Sequence, residues 1–167
     1  MGRISGRISG RIWKLGDDVD TDALAPGRFM HRPMAELAAN CLIDLSPDFA
    51  ANARPGDLIV AGRNFGMGSS REQASQALKD RGLQGVVAES FAGIFYRNAI
   101  NLGLPVFVGR ASDLPDGAEA TLDAGAAVLR HAGGAVALEP LPDFLLALIR
   151  DGGLVPHLEK RLAKEGR

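Results

Sequence analysis

The chain has 167 residues, 46% of them apolar, and its 19 basic and 20 acidic side chains leave a formal net charge of −1. Size and composition suit one core and a single domain over 1–167, and with neither sign of charge gathered into blocks they speak against nucleic acid or an anionic membrane surface as a partner. One cysteine, Cys41, excludes an internal disulfide and any metal or iron–sulfur site built from this chain's own thiols, and the longest apolar run, 144–149, falls far short of the roughly 18 residues that span a bilayer, so a soluble protein of a reducing, cytoplasmic compartment is expected.

Residues 1–9 are a ragged Gly-Arg-Ile-Ser repeat, rich in Arg and Ser like a transit peptide but without an apolar core. A first strand is predicted over 10–15, then a long loop over 16–33, acidic at first and basic later. Its Asp18-x-Asp20-x-Asp22 spacing invites a calcium reading that fails, because Ala23 and Phe29 stand where an EF-hand needs Gly and a bidentate Glu. A short helix over 34–42 pairs Leu37 with Cys41. From Asp57 the pattern becomes regular, with strand 58–61, helix 70–81, strand 86–88, helix 91–101 and strand 104–108, joined by short Gly-containing turns. Such alternation predicts βαβ units and a small parallel sheet, whose ligands collect at the carboxyl ends of the strands. Segments 118–122, 126–131 and 135–139 then read as an antiparallel meander, followed by amphipathic helices over 140–150 and 154–164. The fold class is α/β: a small parallel sheet with a second, mainly antiparallel layer and flanking helices.

One stretch carries chemistry. Gly62-Arg63-Asn64-Phe65-Gly66-Met67-Gly68-Ser69-Ser70-Arg71-Glu72 lies just beyond strand 58–61 and opens the next helix. Its glycines let the backbone turn tightly and approach a ligand, while two hydroxyls and a guanidinium follow at a helix start, the layout of an anion site. A P-loop is ruled out by the lack of a Lys-Ser/Thr pair, and a dinucleotide fingerprint by Arg71 at the third glycine position.

Gly66-x-Gly68-Ser69-Ser70-Arg71-Glu72, preceded by Asn64-Phe65, resembles the signature of the mobile swivel domain of the aconitase superfamily. More closely, the chain resembles the separately encoded small subunits of isopropylmalate isomerase and homoaconitase. Three further blocks agree: Asp18-x-Asp20-Thr21-Asp22 with Pro26 and Arg28-Phe29, the run from Ser90 to Pro105, and the run from Pro142 to Val155. The resemblance implies a swivelling β/β/α domain, and a hydro-lyase that moves a hydroxyl between adjacent carbons of a di- or tricarboxylic acid by dehydration and rehydration. It implies no metal or cofactor on this chain, a [4Fe–4S] cluster on a large partner subunit, and a site closed between the two.

Each residue also has a plainer reading. Ser69-x-x-Glu72 fits a capping box; the resemblance implies instead that Ser69 is an alkoxide base, Ser70 a hydrogen-bond donor to a substrate carboxylate and Arg71 its bidentate clamp. Asp22 either orders its turn or, by resemblance, orients the site. His31 and Arg32 are loop residues that the resemblance places in the segment selecting the substrate side chain, though neither an apolar nor a purely arginine pattern is present. Asn64, Gly66, Met67 and Gly68 contribute loop backbone. Met67 in place of a small residue and Gln73 in place of a common histidine depart from the family pattern and leave the substrate open among isopropylmalate-, methylmalate- and homocitrate-type acids. A non-catalytic assembly subunit of the same fold is the alternative of another class. A scaffold needs only one helix cap, and this stretch keeps Ser69, Ser70 and Arg71 together.

Overall fold

The structure, a computed structural model, describes residues 9–166, and the first copies of the N-terminal repeat lie outside them. Strands β1 (Gly10–Lys14), β2 (Leu58–Ala61), β3 (Gly85–Ala88) and β4 (Val106–Val108) form a parallel half-sheet in the spatial order β4-β3-β2-β1. β2 and β3 are buried at every residue, which is why both read as unbroken apolar runs. Helices α4 (Glu72–Asp80) and α5 (Gly93–Leu102) are the crossovers between them.

The meander, β5 (Glu119–Asp123), β6 (Val128–His131) and β7 (Gly134–Ala137), joins the parallel half through β1. Gly10 and Arg11 pair with β5, whereas Ile12, Trp13 and Lys14 pair with β2, so one strand serves both halves. The sheet then curls over itself. Ile12, Leu58, Val60, Val87 and Phe107 pack with Ala120, Leu129 and Leu138, so the meander covers one face of the parallel strands. Trp13, Ile59, Ala61, Val86, Ala88 and Val106, alternating with them along the strands, face the helices. Past β7, the N–H of Glu139 donates to the carbonyl of Val108 at 2.8 Å, tying the far end of the meander back to β4.

Two side chains stitch the curl. Asp57, 7% exposed, accepts from the Arg11 N–H (3.0 Å), the Trp13 indole Nε1 (2.9 Å) and the Arg54 N–H (2.9 Å). The Gln84 amide donates to the carbonyls of Gly56 (2.6 Å) and Ala120 (3.2 Å) and accepts from the Leu122 N–H (3.0 Å), spanning from the start of β3 to β5.

The loop over 16–33 is more ordered than its composition suggests. It contains α1 (Thr21–Leu24), N-capped by Asp20, and a 3₁₀ turn (Gly27–Phe29). α2 (Met34–Ala39) stops three residues earlier than predicted, because the chain turns through Leu42 in a left-handed conformation (φ 63°) whose N–H donates to Ala23 at 2.9 Å. α3 (Pro47–Asn52), with Pro47 in its first turn, was not predicted from the sequence. α6 (Asp143–Arg150) and α7 (Leu154–Glu165) complete the chain, and no helix among the described residues is long and apolar enough to cross a membrane.

Replacing Asp57 with Ala strands three donors, so Asp57→Ala is expected to lower stability by about 2–4 kcal/mol in urea unfolding followed by Trp13 fluorescence; a loss below about 0.5 kcal/mol would contradict the role given to this carboxylate. Burial pushes the Cys41 thiol up to about 12. The raised value keeps the neutral thiol, and the stability it carries, intact up to the ordinary thiol range and loses it only as pH rises towards the folded value. Cys41 is therefore expected to resist Ellman's reagent in the folded protein at mildly alkaline pH and to react at once in concentrated guanidinium.

Candidate functional site

The loops that leave the carboxyl ends of β1, β2 and β3 run side by side beyond the sheet. Backbone hydrogen bonds lace the first two together: Asp18 N–H to Arg63 (2.8 Å), Gly66 N–H to Val19 (2.7 Å) and Thr21 N–H to Met67 (2.8 Å). The second and third are laced by Phe65 N–H to Ser90 (3.0 Å) and Ala92 N–H to Phe65 (2.9 Å). Asp20 pairs with Met67 and Phe65 with Phe91 as isolated bridges, extending the strand order of the sheet into the loops.

The middle loop needs its residue types. Asn64, Gly66 and Gly68 take φ values of 62°, 83° and 103°, conformations that favour Gly and tolerate Asn. A β-carbon on Gly66 would collide with the Phe95 ring. That ring and Phe91 pack on the fully buried Phe65, so an aromatic cluster seats the loop from below. The Asn64 side chain donates to Asp18 Oδ1 at 3.1 Å and lies 3.4 Å from the Met67 sulfur, which closes one side of the loop.

Helix α4 starts at Glu72, two residues later than predicted, with Arg71 at the N-cap in an extended conformation and no side-chain capping bond. The Ser69-x-x-Glu72 capping box therefore does not form. Ser69 meets the helix through its carbonyl, which accepts from the Arg71 N–H at 2.8 Å, and its exposed hydroxyl is left for other work. The Ser69 Oγ lies 3.4 Å from Thr21 Oγ1. Ser70 is exposed beside it.

Arg71 crosses to the first loop, where its Nη1 donates to Asp22 Oδ1 and to the Ala25 carbonyl, each at 2.9 Å. Nη2 and Nε have no hydrogen-bond partner among the described residues. Asp22 Oδ1 also accepts from the Gly27 N–H at 3.2 Å. The Arg71 guanidinium, helped by that N–H, holds the Asp22 carboxyl below the usual carboxylate range. The structure thus brings Asn64, Gly66, Met67, Gly68, Ser69, Ser70, Arg71 and Asp22 into one place.

His31 and Arg32 are exposed on the segment between the 3₁₀ turn and α2. Arg32 Nε stands 4.0 Å from Glu36 Oε1, and among the described residues no hydrogen bond ties either residue to Ser69, Ser70 or Arg71. Their segment is held by a two-pronged Arg28–Asp44 pair at 2.6 and 2.8 Å. The acidic cluster of the first loop is divided among separate tasks: Asp17 accepts from the Arg63 N–H, Asp18 from Asn64, Asp20 from the Ala23 N–H and Asp22 from Arg71. No group of three or more His, Cys, Asp or Glu among the described residues is arranged to hold a metal, and Cys41 is sealed in the core, so the residues present do not fit an iron–sulfur cluster. Thr21 is the site residue that the sequence reading passed over. Its signal was weak, a single hydroxyl between two acids that turn formation alone explains.

Residues 39–108 match the model of the aconitase C-terminal domain family. The chain is 48% identical to the methanogen homoaconitase small subunit of Methanothermobacter thermautotrophicus, over 95% of each chain. It is 47% identical to 3-isopropylmalate dehydratase small subunit 2 of Archaeoglobus fulgidus, over 92% of this chain and 96% of that one. The crystal structure of a 3-isopropylmalate dehydratase from Methanocaldococcus jannaschii superimposes with a TM-score of 0.90 at 40% identity, covering 95% of this chain and 97% of the other. At that identity and coverage, with the same fold, the chain belongs to the aconitase C-terminal domain family, among the small subunits of 3-isopropylmalate dehydratase and homoaconitase.

Proposed function

We propose that this chain is the half of a heteromeric dehydratase that supplies the base and a carboxylate clamp, working on an isopropylmalate-like hydroxy acid bound against a large subunit. The observation that carries the reading is the Ser69 hydroxyl: exposed, uncommitted to helix capping, and set at the carboxyl end of β2 beside the Arg71–Asp22 pair. The names of the relatives support a dehydratase small subunit and with it a larger partner.

In this reading Ser69 Oγ, as the alkoxide, takes a proton from the carbon next to a substrate carboxylate. The electron pair of that C–H bond forms the C=C bond as hydroxide leaves the neighbouring carbon. Rehydration runs the same steps backwards with the hydroxyl placed on the other carbon. A serine alkoxide needs help near neutral pH, and the start of α4, nine residues long, offers the positive end of its dipole and unpaired N–H groups. Arg71, its Nη1 steadied by Asp22 and Ala25, presents its remaining N–H donors to a carboxylate, and Ser70 adds a hydroxyl donor. The His31-Arg32 segment meets the substrate's side chain when the two subunits close. An iron–sulfur cluster on the partner would supply the electrophile for the departing hydroxyl.

Co-expression with the large subunit, anaerobic cluster assembly and assay of 2- and 3-isopropylmalate, homocitrate and 2-methylmalate tests the assignment. The complex is expected to turn over at least one of the four acids and the isolated chain none; activity of this chain alone would overturn the subunit reading. Ser69→Ala is expected to lower kcat by roughly a hundredfold or more, whereas a change within about tenfold would remove Ser69 as the base. Because Arg71 holds the Asp22 carboxyl down, the pair is fully formed above the ordinary aspartate range and is lost as pH falls through the lowered value. NMR titration should place Asp22 below the usual carboxylate range, and Arg71→Gln should raise it towards that range while raising KM.

A further inference from the structure

We propose that Thr21 positions Ser69 for proton abstraction, a role that rests on the reading of Ser69 as the base. Thr21 is 3% exposed, the most buried polar side chain of the site. Its backbone is fixed at both ends: its N–H donates to the Met67 carbonyl at 2.8 Å, and its carbonyl accepts from the Ala25 N–H at 2.8 Å. Asp20, immediately before it, caps the same short helix by accepting from the Ala23 N–H at 2.7 Å. A β-branched side chain on so constrained a backbone has little freedom at χ1.

Among the described residues, the hydroxyl that this frame holds has one side-chain neighbour within hydrogen-bond reach, the Ser69 Oγ at 3.4 Å. Gly68 keeps that neighbour in place. A β-carbon at Gly68 would stand 3.1 Å from Thr21 Oγ1, so the absence of a side chain there lets the turn press Ser69 towards threonine. A buried hydroxyl needs a partner, and Ser69 is the one the geometry provides. Towards a neutral serine, Thr21 can donate or accept. Towards an alkoxide it can only donate, and a bond to a charged oxygen is shorter and about twice as strong. The pair thus favours the deprotonated serine. A long bond that tightens when charge develops is the behaviour expected of a catalytic contact.

The test uses the assembled complex with the large subunit and whichever of the four acids it turns over, comparing Thr21→Val, Thr21→Ser and Ser69→Ala. Valine keeps the shape and removes the donor; serine restores it. Thr21→Val is expected to lower kcat roughly ten- to a hundredfold with KM within about twofold, and to move the rising limb of the pH profile upward by about one unit. The charged groups of the two loops, Asp17, Asp18, Asp20 and Asp22 on the first and Arg63, Arg71 and Glu72 on the second, are unchanged in all variants, so the shift reports the lost hydroxyl. Thr21→Ser is expected to recover activity to within about threefold of the wild type. If Thr21→Val proves unfolded by its thermal midpoint, Thr21→Ala removes the same donor and replaces it in the comparison. An inactive Ser69→Ala beside a Thr21→Val of unchanged kcat and pH profile would overturn the role of Thr21 alone. An active Ser69→Ala would overturn the base reading and the role of Thr21 together.

Discussion

The site depends on a short parallel ladder that continues the sheet past its own strands. Gly66 N–H to Val19 and Thr21 N–H to Met67 are ordinary backbone hydrogen bonds, but they fix two loops against each other in a single register. Everything chemical follows from that register. It sets Thr21 beside Ser69, lets Arg71 reach Asp22 and Ala25, and turns Gly66 and Gly68 through left-handed angles that most residues would resist. Below the turn, Phe65, Phe91 and Phe95 pack together, and Phe95 leaves no room for a side chain at Gly66.

Much of this was legible in the sequence, and what was missed has identifiable physical causes. The apolar runs of β2 and β3 and the Gly-punctuated crossovers gave the parallel half because each signal is local. The curl of the sheet was not readable, since it depends on β1 dividing its pairing between β2 and β5 and on Asp57 and Gln84 reaching across distant segments. α1 and α3 were missed because helices of four and six residues carry too little periodicity to stand out. The capping box at Ser69 was a sound local inference overridden by tertiary context: Arg71, drawn to Asp22, takes the N-cap in an extended conformation and starts the helix two residues later.

The same override separates structure from chemistry in the glycine loop. A serine that capped α4 would spend its lone pairs on backbone N–H groups. Freed of that task, Ser69 stays exposed, with its hydroxyl 3.4 Å from that of Thr21. An exposed half-site of this kind suits a chain whose relatives are named as small subunits, because a second surface is needed to exclude water and hold the remaining groups of the substrate. His31 and Arg32 are exposed and, among the described residues, have no hydrogen bond to the Ser69 cluster.

The central claim is that this chain holds the base and the partner completes the site, and its most direct test separates binding from turnover in the assembled complex carrying Ser69→Ala. Calorimetric affinity for the substrate within about threefold of the wild type, together with a kcat lowered at least a hundredfold, is the result this account predicts. Turnover retained at the wild-type level, or substrate binding lost along with it, would contradict the assignment of Ser69 as the group that takes the proton.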